Sequence, residues 1–175
     1  MISPGQTLEN PVTGERFTFI HTAGSTGGEL LAFELALRLG GAVPMAHVHP
    51  IQTERFEVLE GAPRFRIGAR SQVVASGGVV EIAPGVLHGF HNPGPGEARM
   101  RVEVRPALRM EELLREVVAL AHAGRLTRRG MPRSLLDLAR LARSYDDVAH
   151  APLLSVAVQR VLLAPHLLAA RRRRP

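Results

Sequence analysis

The sequence predicts a mainly β fold, a single small barrel of short strands, followed by about three α-helices. Three observations predict it. Turn residues recur through residues 1–105 at intervals of about 8–12, the spacing of an all-β sandwich or barrel. Between the turns, apolar and polar residues alternate, which gives each strand one buried face. After Pro106 the apolar period lengthens from that of a strand to that of a helix. The expected division is a β-barrel over 1–106 and a helical extension over 107–175 that packs on the barrel or on a partner subunit.

The elements follow in order. Asn10-Pro11 and Thr13-Gly14 make an early turn, and Arg16 to His21 reads as a strand. Ala23 to Gly28 is a loop. Glu29 to Leu39 alternates, with Leu31, Phe33, Leu35, Leu37 and Leu39 on one face and Glu34 and Arg38 on the other. Gly40-Gly41 turns the chain into Gly41 to Gly61, GAVPMAHVHPIQTERFEVLEG. Further strands are expected at Arg64 to Ile67, Gln72 to Ala75, Val79 to Ile82, Val86 to His91 and Arg99 to Arg105. Met110 to His122 has helical spacing and Gly124 is its stop. Arg125 to Met131 reads as a polar, basic linker. Ser134, with Asp137 three residues on, opens a helix from Leu135 to Tyr145. Pro152 starts a third, running to about Ala170 with a kink at Pro165.

Composition narrows the chemistry. There are no cysteines among the 175 residues, so disulfides and thiolate metal sites are excluded and any metal must use N and O ligands. The N-terminus has neither a basic nor an apolar leader region, and the expected compartment is the cytoplasm. The net charge of +6 is uneven. Residues 1–105 carry nine Arg and ten acids, residues 106–175 thirteen Arg and six acids. Aromatics are few and Trp is absent, so base-stacking platforms are not expected, nor is a nucleic-acid partner. The segment Arg125 to Arg133 is too long for the tight turn of a helix-turn-helix. The third helix is too short and too polar to span a membrane, and membrane contact by it, with Arg171 to Arg174 on headgroups, is not the expectation. The expected partners are a small-molecule ligand and, as a candidate assembly, a homodimer.

The stretch Gly41 to Gly61 carries the chemistry. His47 and His49 are two apart in an extended run, so their imidazoles face one side. Pro50 ends that strand. Glu54, Phe56 and Val58 share a face on the next, and pairing of the two strands brings Glu54 level with the histidines. Two imidazoles and a carboxylate suit a divalent transition metal. A second stretch, Gly77 to Asn92, places His88, Phe90 and Asn92 on one face after the turn Ala83-Pro84-Gly85.

Together the two stretches resemble the motifs of the cupin superfamily. The first motif, G-x5-H-x-H-x4-E-x6-G, is met by Gly41, His47, His49, Glu54 and Gly61. The second, G-x5-P-x-G-x2-H-x3-N, is met by Gly77, Gly85, His88 and Asn92, with Ala83 in place of the proline and Pro84 beside it. The chain also resembles small bacterial cupins whose helical tail contains a Gly-Met/Leu-Pro segment, here Gly130-Met131-Pro132. The resemblance implies a jelly-roll (double-stranded β-helix) barrel holding one metal through His47, His49, Glu54 and His88. Four N/O ligands leave about two octahedral positions open. Fe, Mn, Ni, Cu, Co and Zn all fit such a donor set.

Met45, Phe56, Val58 and Phe90 share the ligand face, as do Phe65, Met100, Val102 and Val104 by the same alternation, and these make the expected substrate pocket apolar. No inward Arg is evident; Arg38, Arg64 and Arg66 face out. The expected activity is a dioxygenase-like oxidoreductase for a small, largely apolar substrate, with Glu54 as ligand and general base. The alternatives are a small-molecule-binding or sensing cupin without turnover and a metal-dependent isomerase or lyase. His21, His91, His122, His150 and His166 are read as lying outside the site, as are Glu57 and Glu60.

Overall fold

The computed structural model describes residues 2–43 and 45–150. Nine strands come first: β1 Thr7–Asn10, β2 Glu15–His21, β3 Leu31–Leu37, β4 Thr53–Glu60, β5 Arg64–Ile67, β6 Arg70–Val73, β7 Val79–Ile82, β8 His88–His91 and β9 Ala98–Arg105. Two α-helices follow among the described residues, α1 Met110–His122 and α2 Leu135–Ser144, rather than about three. The third expected helix, Pro152 to Ala170, lies outside the described residues. One sheet has the order β1-β2-β3-β9-β4-β7 and the other β6-β5-β8, and the pairings are antiparallel.

The pleat sorts the large sheet's inner face into rows. Leu31, Val104, Glu54 and Ile82 are neighbours in one row. Phe19, Phe33, Val102, Phe56 and Val80 form the next. Phe17, Leu35, Met100 and Val58 form a third, and Glu15, Leu37 and Ala98 a fourth. All of these side chains are buried. The small sheet meets the large one through aromatic rings: Phe56 lies 5.2 Å from Phe65 and 5.3 Å from Phe90, centroid to centroid, in edge-on contacts.

Several expectations need correction. Leu39 does not continue the inner face of β3 and is exposed, because the strand ends at Leu37 and Gly40 turns the chain at φ +72°. The outer face of β3 is not simply polar either. Ala36 is buried there, flanked across the sheet by Arg16 and Arg99, whose long stems shade a small side chain. β1 has no alternation to reveal it; it is a short edge strand held by β2. The stretch Arg125 to Met131 is more than a linker. Leu126 is buried with Leu120 and Ala121, and the chain folds back so that Leu126 bridges Pro132. Asp137 does not close a reciprocal cap: Ser134 Oγ accepts from the Leu136 amide at 3.2 Å, while Asp137 pairs with Arg125.

Both helices share the strands' core. Met110 and Val118 of α1, and Tyr145 and Val148 beyond α2, are buried in the same cluster as the inner rows. Polar ties hold α1 in place. Glu111 accepts from the Ala23 amide at 3.0 Å, and Tyr145 donates its hydroxyl to Glu116 at 2.8 Å. Gln52 fastens the junction where β9 hands over to α1: its Nε2 donates to the carbonyls of Pro106 and Ala107, at 2.9 and 3.1 Å. No helix among the described residues is long and apolar enough to cross a membrane.

Candidate metal centre

His47 and His49 do not sit in a regular strand. Their segment is bridged on both sides instead: His47 to His88, and Val48 to His150 beyond α2. The backbone hydrogen bonds are reciprocal, at 2.9 and 3.0 Å for the first pair and 3.1 Å both ways for the second. That pairing keeps the chain extended, so the two imidazoles face the same side, with ring centroids 4.8 Å apart. His88 enters from β8, 4.5 Å from His47 and 5.3 Å from His49. Glu54 enters from the first inner row of the large sheet.

One donor atom from each of His47, His49, Glu54 and His88 lies within 4.8 Å of all the others. Glu54 Oε2 is 2.8 Å from His88 Nε2 and 3.4 Å from His49 Nε2. All three histidines commit Nδ1 to a backbone carbonyl: His47 to Met45 at 2.9 Å, His88 to Val86 at 3.0 Å and His49 to Val148. A carbonyl only accepts, so each Nδ1 carries the proton and each Nε2 is left for the centre. This is how outer contacts orient imidazole ligands.

Electrostatics act on the same groups in different directions. Burial pushes His47 down to about 4, helped by the neighbouring His49 and His88, so it is neutral at physiological pH. Burial alone would raise Glu54, but hydrogen bonds and charge from His49 and His88 outweigh it and hold the carboxyl well below the usual range. Burial likewise pulls His49 down, and the Glu54 hydrogen bond and charge, with the Val148 carbonyl, lift it above its ordinary value. His49 Nε2 is buried without a well-formed hydrogen bond among the described residues. A buried imidazole nitrogen with only a long, 3.4 Å contact to a buried carboxylate, in a set of three imidazoles and one oxygen donor, fits a divalent transition ion. The four residues could therefore bind a metal.

The cluster opens on a cavity of about 240 Å³. Met45, Phe56, Phe90 and Val102 line it, as the alternation placed them. Val58 does not; it is fully buried in the core, opposite Met100 across the sheet. Arg38, Arg64 and Arg66 are exposed. His91 is exposed as well. Asn92 shares no ligand role: its Nδ2 donates to the carbonyls of Leu37 and Gly96, at 3.0 and 2.7 Å, and ties the ends of β3 and β8 to the start of β9. Gly61 is required by contact: at φ +81°, a Cβ there would stand 3.0 Å from Ala98 Cα.

Sequence reasoning missed part of the wall. Leu113, Leu114 and Val117 of α1 and Leu138 and Leu141 of α2 cover the cavity, and Gly130 to Pro132 close its edge. Asn10 and Glu15 also line it. Glu15 had a legible signal. It continues the inward series Phe17, Phe19, but a strand begun at Arg16 leaves it out.

Residues 34–104 match the family model of the cupin domain. Among solved structures, TT1209 from Thermus thermophilus is 25% identical; the match covers 55% of this chain and 87% of that one, with a TM-score of 0.50. An RmlC-like cupin from Shewanella frigidimarina is 19% identical, with 63% and 94% covered and a TM-score of 0.52. Peruvianin-I, a cysteine peptidase from Thevetia peruviana latex, is 20% identical, with 61% and 72% covered and a TM-score of 0.51. The last two show likeness of fold alone, and a fold shared by differently named proteins carries no activity with it. No curated protein matches the chain.

Proposed function

Since residues 34–104 place this chain in the cupin superfamily, we propose that it is a metal-dependent, dioxygenase-like oxidoreductase acting on a small, largely apolar substrate. One observation carries the reading. The His47, His49, Glu54 and His88 cluster opens on a cavity walled by aromatic and aliphatic side chains, and none of its described lining residues is Arg or Lys. Such walls suit an uncharged substrate better than a phosphate or carboxylate, which would call for a guanidinium.

A divalent transition ion held there would supply open coordination positions and the redox chemistry needed with O2. The chain's own residues supply the rest. The three carbonyls on Nδ1 fix the imidazoles. Phe56, Phe90 and Val102 exclude water and orient the substrate. Glu54, kept anionic, is the group able to take a proton from an acidic C–H or O–H brought beside it.

The test is metal analysis of protein purified without added metal, followed by O2 uptake on a panel of enols and flavonols. Iron, manganese, nickel or copper near one per chain, with O2 consumption that His88→Ala abolishes, supports the reading. Bound metal with no turnover across the panel would favour a binding or sensing protein instead. That second reading has its own support in the Val148 carbonyl on His49, which links the site to the helical extension.

A further inference from the structure

The cavity has a second polar end that the metal chemistry does not use. Asn10 and Glu15 are cross-strand partners on β1 and β2, and both are buried. They line the same cavity as the histidines, and apart from the ligand residues His47, His49 and Glu54 they are the polar side chains among its described lining. Glu15 sits in the fourth inner row and Glu54 in the first. The rows cross β9 at Ala98 and Val104, six residues apart, or roughly 20 Å along the strand. The two ends are therefore distinct places.

Local structure explains half of the polar atoms there. Glu15 Oε2 accepts from the Thr13 hydroxyl at 2.6 Å. Asn10 Oδ1 accepts from the amides of Val12 and Thr13, at 3.0 and 3.3 Å, and shapes the turn between the strands. Asn10 Nδ2 has no partner among the described residues. A buried donor without an acceptor, next to a buried carboxyl on an apolar cavity wall, is costly unless something completes it. Burial also raises Glu15 to about 7, against the Thr13 hydrogen bond, so this end of the cavity disfavours charge.

We propose that Asn10 and Glu15 form a hydroxyl-recognition subsite, and that the cavity takes a small, otherwise apolar alcohol or phenol. A hydroxyl gives one hydrogen bond and accepts another, which complements a carboxyl oxygen beside an amide N–H. The volume of about 240 Å³, roughly eight waters at liquid density, suits a molecule the size of a short-chain alkylphenol. The inference rests on the reading above only for the apolar class of substrate; it needs no metal.

The test is calorimetric titration of the full chain, stripped of metal with a chelator, using 4-propylphenol and propylbenzene as probes. The wild type binds the phenol about tenfold more tightly than the hydrocarbon, the effect of one or two net hydrogen bonds. Glu15→Leu and Asn10→Asp each bring that ratio to about twofold or less. Asn10→Asp keeps the acceptor that shapes the turn, so it carries the test if Glu15→Leu does not fold. Equal binding of the two probes, or no binding of the phenol, overturns the proposal. So does a preference that survives Asn10→Asp but disappears in His88→Ala, which would put the hydroxyl at the ligand cluster. Absence of metal from the purified protein would sink the oxidoreductase reading and leave this measurement unaffected.

Discussion

Glu15→Gln tests the electrostatics of the buried end of the cavity, through stability alone. The Glu15 carboxyl is raised by burial from 4.5 to about 7, with the Thr13 hydroxyl working against the shift. Below about pH 4.5 both folded and unfolded chains carry the proton, and the group adds no pH dependence. Between about 4.5 and 7 the folded chain holds a proton that the unfolded chain has lost, so stability falls as pH rises. Above about 7 both are ionised and the loss is complete. The shift corresponds to about 3 kcal/mol at most, taking 1.36 kcal/mol per pKa unit. Glutamine has the shape of the protonated acid and can still accept from Thr13, and it does not titrate. The variant should therefore exceed the wild type by less than about 1 kcal/mol at pH 5 and by up to about 3 kcal/mol at pH 8.5. For a chain of this size that is about 6 to 12 °C in Tm. Thermal melts of both proteins by circular dichroism, at pH 5, 6, 7 and 8.5 and fixed ionic strength, measure it. Groups elsewhere titrate in both proteins and cancel in the difference. A difference that does not change with pH, or a variant less stable at pH 8.5, would refute the reasoning.

Two further outcomes follow from the centre and the core. His49→Ala removes one of four donors and should lower metal affinity at least about tenfold, read by metal content after dialysis against a weak chelator; full retention would remove His49 from the ligand set. Phe56→Ala empties the middle of the second inner row, where Phe56 touches Phe65 and Phe90, and should cost about 3–5 kcal/mol in denaturant melts. A loss under about 1 kcal/mol would mean that the rings do not hold the two sheets together.

The candidate site was legible because its residues obey local rules. Two histidines two apart need only an extended backbone to face one way, and Glu54 follows from one turn and one strand. β7 and α1 lie where the periodicity put them, at Val79–Ile82 and Met110–His122. What stayed hidden depends on contacts far apart in the chain. Periodicity marks Leu113, Leu114 and Val117 as an apolar face but not as the cover of this cavity. Leu126 sits among arginines, and only the folded chain shows that its segment turns back under α1. The bracing of Val48 by His150 joins positions about a hundred residues apart and leaves no periodic trace. Val58 was misplaced for a related reason. Alternation assigns it to the correct face, but a face is longer than the cavity it borders.

The bracing of the histidine segment also sets an order of events. His49 receives its orienting carbonyl from Val148, 99 residues later, and Val48 its pairing partner from His150. During synthesis all four donor residues are present once β8 has emerged, yet the carbonyl that orients His49 through Nδ1 comes only with the chain beyond α2. Until then, a metal held by these four residues would lack the outer contact that orients one of its imidazoles. The outer contacts of the cluster are thereby complete only once the chain has been made and folded as far as His150.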